Sequence, residues 1–213
     1  DGFGQMTETR SASITINPPR KAVVSIGWAY DDVAPGCVFD SGLGINRMNY
    51  SATARTFVWD SGEDAGTVVK GDSVNFNEDI RVGGATTGDD SGMYPDSVLE
   101  KYVRYNGFPQ NTYGHRTASI HLSPGTYRLR LFCSLNSTYK NSTEFMKVQT
   151  VVDGVANVFE LPDGYDVIGN LTRWLEQEIT VPESGMFELQ WGMENATKGW
   201  MEVPLNIIEI EET

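Results

Sequence analysis

The chain has 213 residues, 11% of them aromatic and 22 of them glycine, with a formal net charge of −13. So acidic a balance argues against nucleic acid and anionic lipid as partners, because both are held by basic surfaces. No apolar run reaches membrane-spanning length, so no insertion into a bilayer is expected, and the chain is long enough to bury a sizeable core as one β-sandwich.

Residues 1–20 are polar and stop at Pro18-Pro19, which predicts a linker or lead-in strand ahead of a single domain over 21–213. Ala22 to Ile26 is a short apolar strand, followed by Gly27-Trp28-Ala29-Tyr30-Asp31-Asp32 and a turn at Ala34-Pro35-Gly36. Thr56 to Trp59 predicts a strand, Ser61 to Gly66 a turn, Asp72 to Phe76 a further strand, and Val82 to Gly92 an irregular loop. That loop lacks the glycine spacing of a phosphate cradle. In Pro95 to Tyr105, Val98, Leu99, Tyr102 and Val103 suit one face of a short helix capped by Asp96; the alternative is a strand entered at Tyr102. Asn106 to Arg116 is expected to be a loop.

Thr117 to Cys133 alternates strictly on both sides of Ser123-Pro124-Gly125-Thr126, which predicts two strands in a hairpin closed by a type II turn. Asp153-Gly154 predicts a second hairpin, between Phe145–Val152 and Val155–Phe159. Pro182-Glu183-Ser184-Gly185 predicts a third, between Trp174–Val181 and Met186–Met193. Leu205 to Glu211 closes the chain as a strand, and the contiguous Ile207-Ile208 points to a bulge or to burial on both faces. At least eight strands and almost no helix predict an all-β fold, an antiparallel sandwich or jelly roll.

Cys37 and Cys133 belong to no CxxC or Cys/His cluster, so no zinc site is expected. Cys133 continues the Tyr127, Leu129, Leu131 face and reads as a buried thiol; a Cys37–Cys133 disulfide is the alternative in an oxidising compartment. Five N-x-S/T sequons, at Asn49, Asn136, Asn141, Asn170 and Asn195, mark loops rich in Asn, Ser and Thr.

No G-x-S-x-G elbow supports a serine nucleophile. Of the two histidines, His121 alternates outward on a strand, whereas His115 sits in the NTYGHR stretch. A glycosidase needs two carboxylates about 5–10 Å apart, and Asp31, Asp32, Asp89, Asp90, Glu194 and Glu202 are candidates for them. Carbohydrate binding needs aromatic platforms beside amides, carboxylates or guanidinium groups. Loop aromatics that offer them are Trp28, Tyr30, Tyr94, Tyr113, Tyr139, Tyr165 and Trp200, while Trp59 and Trp191 fall on core faces.

From Gly92 onward the pieces GMYPDSVL, PGTYRLRLF, the polar loop after Cys133, VQTVVDGV, TVPESGMFELQW and LNIIEIEE occur in an order that resembles galactose-binding-like jelly-roll domains. Such domains stand beside the catalytic domains of secreted bacterial carbohydrate-active enzymes. The segment at Ala34-Pro35-Gly36 is similar to the β-domain that precedes some pectin acetylesterases. Ser25-Ile26-Gly27-Trp28 stands where that family carries Asp-Phe-Gly, and Tyr139-Lys140-Asn141 lacks its usual arginine. The resemblance implies a non-catalytic carbohydrate-binding module, secreted, periplasmic or at the cell surface, with an oligo- or polysaccharide as partner and catalytic or surface domains adjoining. A structural or adhesive domain without sugar affinity, or a glycan-active hydrolase or esterase, is the alternative. It further implies that Trp28–Asp32, Ser134–Asn141 and Asn195–Glu202 gather at one edge. The expected ligand set is Trp28, Tyr30, Asp31, Tyr94, Tyr113, His115, Tyr139, Trp200 and Glu202. Either no cofactor or a structural calcium is expected, the latter held by Asp31, Asp32 and Glu209 or Glu211.

Overall fold

The computed structural model describes residues 18–34, 36–71, 80–107, 113–136, 143–195 and 201–213. The expected lead-in strand before Pro18 and the expected Asp72–Phe76 strand lie outside the described residues. The strands are β1 (Lys21–Ser25), β2 (Cys37–Asp40), β3 (Ile45–Met48), β4 (Arg55–Val58), β5 (Asp64–Lys70), β6 (Ile80–Val82), β7 (Lys101–Gly107), β8 (Tyr113–Leu122), β9 (Gly125–Phe132), β10 (Met146–Val152), β11 (Val155–Val158), β12 (Leu175–Val181), β13 (Met186–Glu194), β14 (Met201–Leu205) and β15 (Ile207–Glu212). One helical turn, α1 (Asp96–Leu99), precedes β7.

One six-stranded sheet runs β12-β9-β15-β1-β3-β2 and a second runs β11-β10-β13-β8-β5-β4, with a small third sheet β14-β7-β6. Among the described strands pairing is antiparallel except between β1 and β3. The two large sheets share one core. Ala118, Ile120 and Leu122 of β8 and Phe187, Leu189, Trp191 and Met193 of β13 meet Tyr127, Leu129 and Leu131 of β9, Ile208 and Ile210 of β15, and Ala22 and Val24 of β1. The fold is an all-β sandwich, as the alternating runs predict.

Two of the three expected hairpins are corrected. β8 pairs with β13 and β5, whereas β9 pairs with β12 and β15, so Ser123-Pro124 carries the chain from one sheet to the other. Gly125 is already the first residue of β9. Pro182 to Gly185 makes the same crossing, from β12 to β13. The cause is geometric. The apolar residues of the two arms face each other across the core instead of lying side by side on one wall, and alternation looks the same in either case. The Asp153-Gly154 hairpin is real: β10 pairs directly with β11, and φ is 48° at Asp153 and 79° at Gly154, as a two-residue primed turn demands.

A second apolar cluster coats the outer face of the first sheet. Val23, Ile45, Phe132 and Ile207 rise from its strands, and Trp28, Val98, Leu99 and Trp174 cover them, with Tyr94 packed alongside. Ile207 therefore serves this cluster while Ile208 serves the main core, which is burial on both faces. Residues 95–105 realise both expected structures in succession, a turn of helix and then β7. Asp96 does not cap the helix. Its carboxylate instead accepts from the backbone N–H groups of Thr87 and Gly88 at 2.8 and 2.7 Å and from the Thr87 hydroxyl at 3.0 Å.

At one end of the sandwich Asn206, fully buried between β14 and β15, ties three segments together. Its carboxamide donates to the Leu99 carbonyl at 2.8 Å and accepts from the Ser134 N–H at 2.7 Å, and its backbone binds Ile26 and Phe132. The ends of β1, β7, β9 and β14 are thus neighbours.

Candidate functional site

Asn206 fastens the roots of the expected loop edge together, and of the side chains expected there the described Trp28 and Glu202 are buried. Trp28 is buried. Its indole N–H donates to Ser25 Oγ at 2.9 Å, and Arg47 and Lys101 lie 5.1 and 5.5 Å from its ring centre. It is a pillar of the second apolar cluster and not a platform. Glu202 is buried as the acceptor of Arg104 and of the Tyr102 hydroxyl, the latter at 3.2 Å. Tyr94 is half-buried against Trp174, with its hydroxyl on Glu209 at 3.3 Å. Tyr30 and Asp31 lie on a short 3-10 turn, where Asp31 and Asp32 are exposed. Tyr139 and Trp200 lie outside the described residues.

The expected calcium set does not assemble. Glu209 sits on a central strand and accepts from Arg130 at 2.6 Å, with Lys21 at 3.5 Å. Among the described residues no group of three or more His, Cys, Asp or Glu side chains is placed to hold a metal ion. Charge neutralisation inside the sheet therefore accounts for Glu209, and the donor set does not fit calcium. Both cysteines are free; burial pushes the Cys133 thiol up to about 12 and the Cys37 thiol up to about 11, the latter against the opposing pull of Arg55. Of the sequon asparagines, Asn49 and Asn170 are buried and donate to the carbonyls of Trp28 and Cys133, so they are core hydrogen-bonding groups rather than loop surface.

Tyr113 and His115 are brought together elsewhere, on the outer face of the second sheet. They lie on β8 and not in a loop. At positions i and i+2 of a strand they share a face, and their rings stack at 4.5 Å with 17° between planes. Glu194 pairs with Tyr113 across the β13–β8 ladder, Gly192 pairs with His115, and Lys147 pairs with Gly192 from the far side. The Tyr113 hydroxyl donates to the Lys147 carbonyl at 3.2 Å, so its ring reaches across β13 at the one position without a side chain. Glycine is needed at 192 for a second reason, since a Cβ there would stand 1.9 Å from the Gly114 carbonyl oxygen. Lys147 Nζ lies 4.8 Å from the Tyr113 ring centre and 2.9 Å from Glu194 Oε1. Burial, with the negative Glu194 adding to it, raises the Tyr113 phenol well above its ordinary range, so it stays a neutral donor.

Beside this group opens a cleft of about 400 Å³, lined by Phe145, Lys147, Val158, Phe159, Leu161 and Glu194 among others. That volume falls in the range of small-ligand sites. The exposed Val158 and Leu161 make one wall apolar, and the Lys147–Glu194 pair makes the other polar. Phe145, Lys147, Val158 and Leu161 were not singled out in the sequence, and Glu194 was named there only as a carboxylate. The signal that could have found the group is the i, i+2 aromatic pair at the head of a strand.

No protein family profile matches the chain, and no curated protein is similar to it. Among solved structures it is similar to a β-glucuronidase of Bacteroides uniformis, at 10% identity and a TM-score of 0.42 over 91% of this chain. It is also similar to a chain in the complex of the plant peptide RALF23 with FER and LLG2, at 16% identity and a TM-score of 0.47 over 98% of this chain. It spans 18% and 53% of the length of those two chains.

Proposed function

We propose that the chain is a non-catalytic carbohydrate-binding module of the galactose-binding-like kind, part of an exported or cell-surface protein, and that it holds a saccharide at the Lys147–Glu194 cleft and the Tyr113–His115 stack next to it. The observation that carries the reading is the stacked, half-exposed aromatic pair set directly beside an ammonium–carboxylate pair. A pyranose has apolar C–H faces and a rim of hydroxyls. The C–H face packs on the aromatic stack and the apolar wall, while Glu194 accepts from hydroxyls and Lys147 donates to them. The cleft is open, so water remains around the bound sugar and affinity is expected to be weak, roughly micromolar to millimolar, or about 4–8 kcal/mol.

Titration calorimetry of the wild type, His115→Ala and Glu194→Gln against a panel of oligosaccharides tests the reading. Loss of the imidazole is expected to remove about 1–3 kcal/mol of binding, by analogy with bases stacked on aromatic side chains. A saccharide that binds both variants as well as the wild type would displace the site. If no saccharide binds at all, the structural or adhesive reading takes its place.

A further inference from the structure

The chain's two histidines share one face of one strand. His115 stacks on Tyr113, whose ring lies 4.8 Å from Nζ of Lys147, a lining residue of the cleft described above. Six residues along β8, His121 borders a second cleft of about 420 Å³, lined also by Thr56, Asp64, Gly66 and Thr67. Thr67 pairs with His121 across β5 and β8, and Thr56 pairs with Thr67 across β4 and β5, so all three lie on the same outer face. The first cleft occupies the β10–β11 corner of the sheet and the second the β4–β5 corner. At the strand rise of about 3.3 Å per residue, the two histidines are roughly 20 Å apart along β8.

The ground between the clefts is polar and already ordered. Gln149 donates to Gln190 at 2.7 Å, and Gln190 donates to Glu188 at 3.0 Å. Ser119 pairs with Glu188 on the same face, and Thr117 with Gln190. Gln149 and Thr117 are buried, whereas Ser119, Glu188 and Gln190 are partly exposed, and this exposed polar row suits a ligand that offers hydroxyls. Among the described residues the charged groups at and between the clefts are Glu144, Glu194, Glu188 and Asp64 against Lys147. Lys147 is itself paired with Glu194. An anionic ligand would meet a surplus of carboxylates here, whereas a neutral polyol would meet acceptors.

We propose that the ligand is a linear, uncharged oligosaccharide laid diagonally across the outer face of the second sheet, with one sugar at the Lys147–Glu194 cleft beside the Tyr113–His115 stack and another in the His121 cleft. This rests on the carbohydrate reading of the first cleft and adds the ligand's length, charge and course. The module then recognises the interior of a chain and not its end. Linking two weak sites through one ligand makes the second contact intramolecular, so affinity rises once the ligand spans both.

The experiment is calorimetry with neutral gluco-, xylo-, manno- and galacto-oligosaccharides from di- to hexasaccharide, alongside an oligogalacturonate series. Wild type, His115→Ala, His121→Ala and Thr67→Ala are compared; His121 is exposed, so its replacement leaves the core intact. In the series that binds, the hexasaccharide is expected to exceed the disaccharide on the order of tenfold. His121→Ala and Thr67→Ala should lower the hexasaccharide's affinity to that of the first cleft alone. The proposal is overturned if affinity does not rise with length, if His121→Ala leaves the hexasaccharide unaffected, or if the oligogalacturonates bind more tightly than the neutral series. In each of these cases the first cleft still stands, provided His115→Ala weakens the disaccharide. Binding by no saccharide removes both readings together.

Discussion

Arg130 and Glu209 face each other across the β9–β15 ladder at 2.6 Å, with 4% of the Glu209 side chain exposed. The guanidinium also lies 4.6 Å over the Trp174 ring, and Tyr94 donates to the same carboxylate at 3.3 Å. Burial, followed by the negative charge of Glu209, raises the Tyr94 phenol well above its ordinary range and keeps it a donor. Removing one partner of a buried pair strands the other in a poorly solvated place. Glu209→Ala is therefore expected to cost about 3 kcal/mol in denaturant unfolding. A cost below about 1 kcal/mol, the range of exposed pairs, would show that water or Glu176, 3.5 Å from the Arg130 guanidinium, takes the place of Glu209.

Leu131 is fully buried on the inner face of β9. Leu131→Ala is expected to lower stability by about 2–5 kcal/mol, the range for a buried aliphatic truncated to a methyl group. Equilibrium unfolding measures it. An effect within about 0.5 kcal/mol would place the residue on the wet face.

Removing the residues from Leu205 onward deletes β15, which lies between β1 and β9 in the first sheet. It exposes Ala22, Val24, Leu129 and Leu131 along two unpaired edges, and it takes away Asn206. Calorimetric unfolding should lose its cooperative transition. An unchanged melting curve would contradict the sheet order.

Asp96 supplies a dependence on pH. The backbone N–H of Thr87, before all else, and then that of Gly88 and the Thr87 hydroxyl, hold its carboxyl below the usual range. A carboxyl lowered on folding stabilises the native state above its ordinary pKa of about 4, and this contribution disappears as pH falls through the lowered value. Asp96→Asn should therefore melt below the wild type at neutral pH, and the two should converge at acid pH. A gap that stays constant with pH would assign the effect to packing. Amide exchange at Thr87 and Gly88, faster in the variant, locates it.

Much of this architecture can be read from residues in sequence. Asp153-Gly154 encodes its own turn, because two successive residues with positive φ are chemically conspicuous. Ile207-Ile208 announces a strand apolar on both sides. Trp59 and Trp191, read as core, are buried. The partners of each strand are less legible, because Ile120 and Leu129 alternate identically whether their strands pair or oppose. β2 and β3 escape notice because they are four residues each and carry Asp40, Asn46 and Arg47 among their apolar positions. In the candidate site, Tyr113 and His115 could be singled out as chemistry-bearing residues, but Lys147 and Glu194 join them only through the register of three strands distant in sequence. Trp28 and Glu202 misled because an aromatic or a carboxylate next to a turn looks alike whether it faces water or a buried arginine.

The adjacency of β1 and β15 has a consequence for biosynthesis. Lys21 pairs with Glu211, and Arg20 bonds Glu212 across 192 residues of chain. β1 therefore waits for its neighbour until the rest of the sandwich has been made. Until then β1 can pair only with the short β3, and the wall meant for Leu129 and Leu131 stays open. Contacts so distant in sequence close slowly. Until β15 is made the nascent domain should thus carry uncovered apolar strand edges, a natural client for a holding chaperone, and the sandwich should close only once its last strand is available.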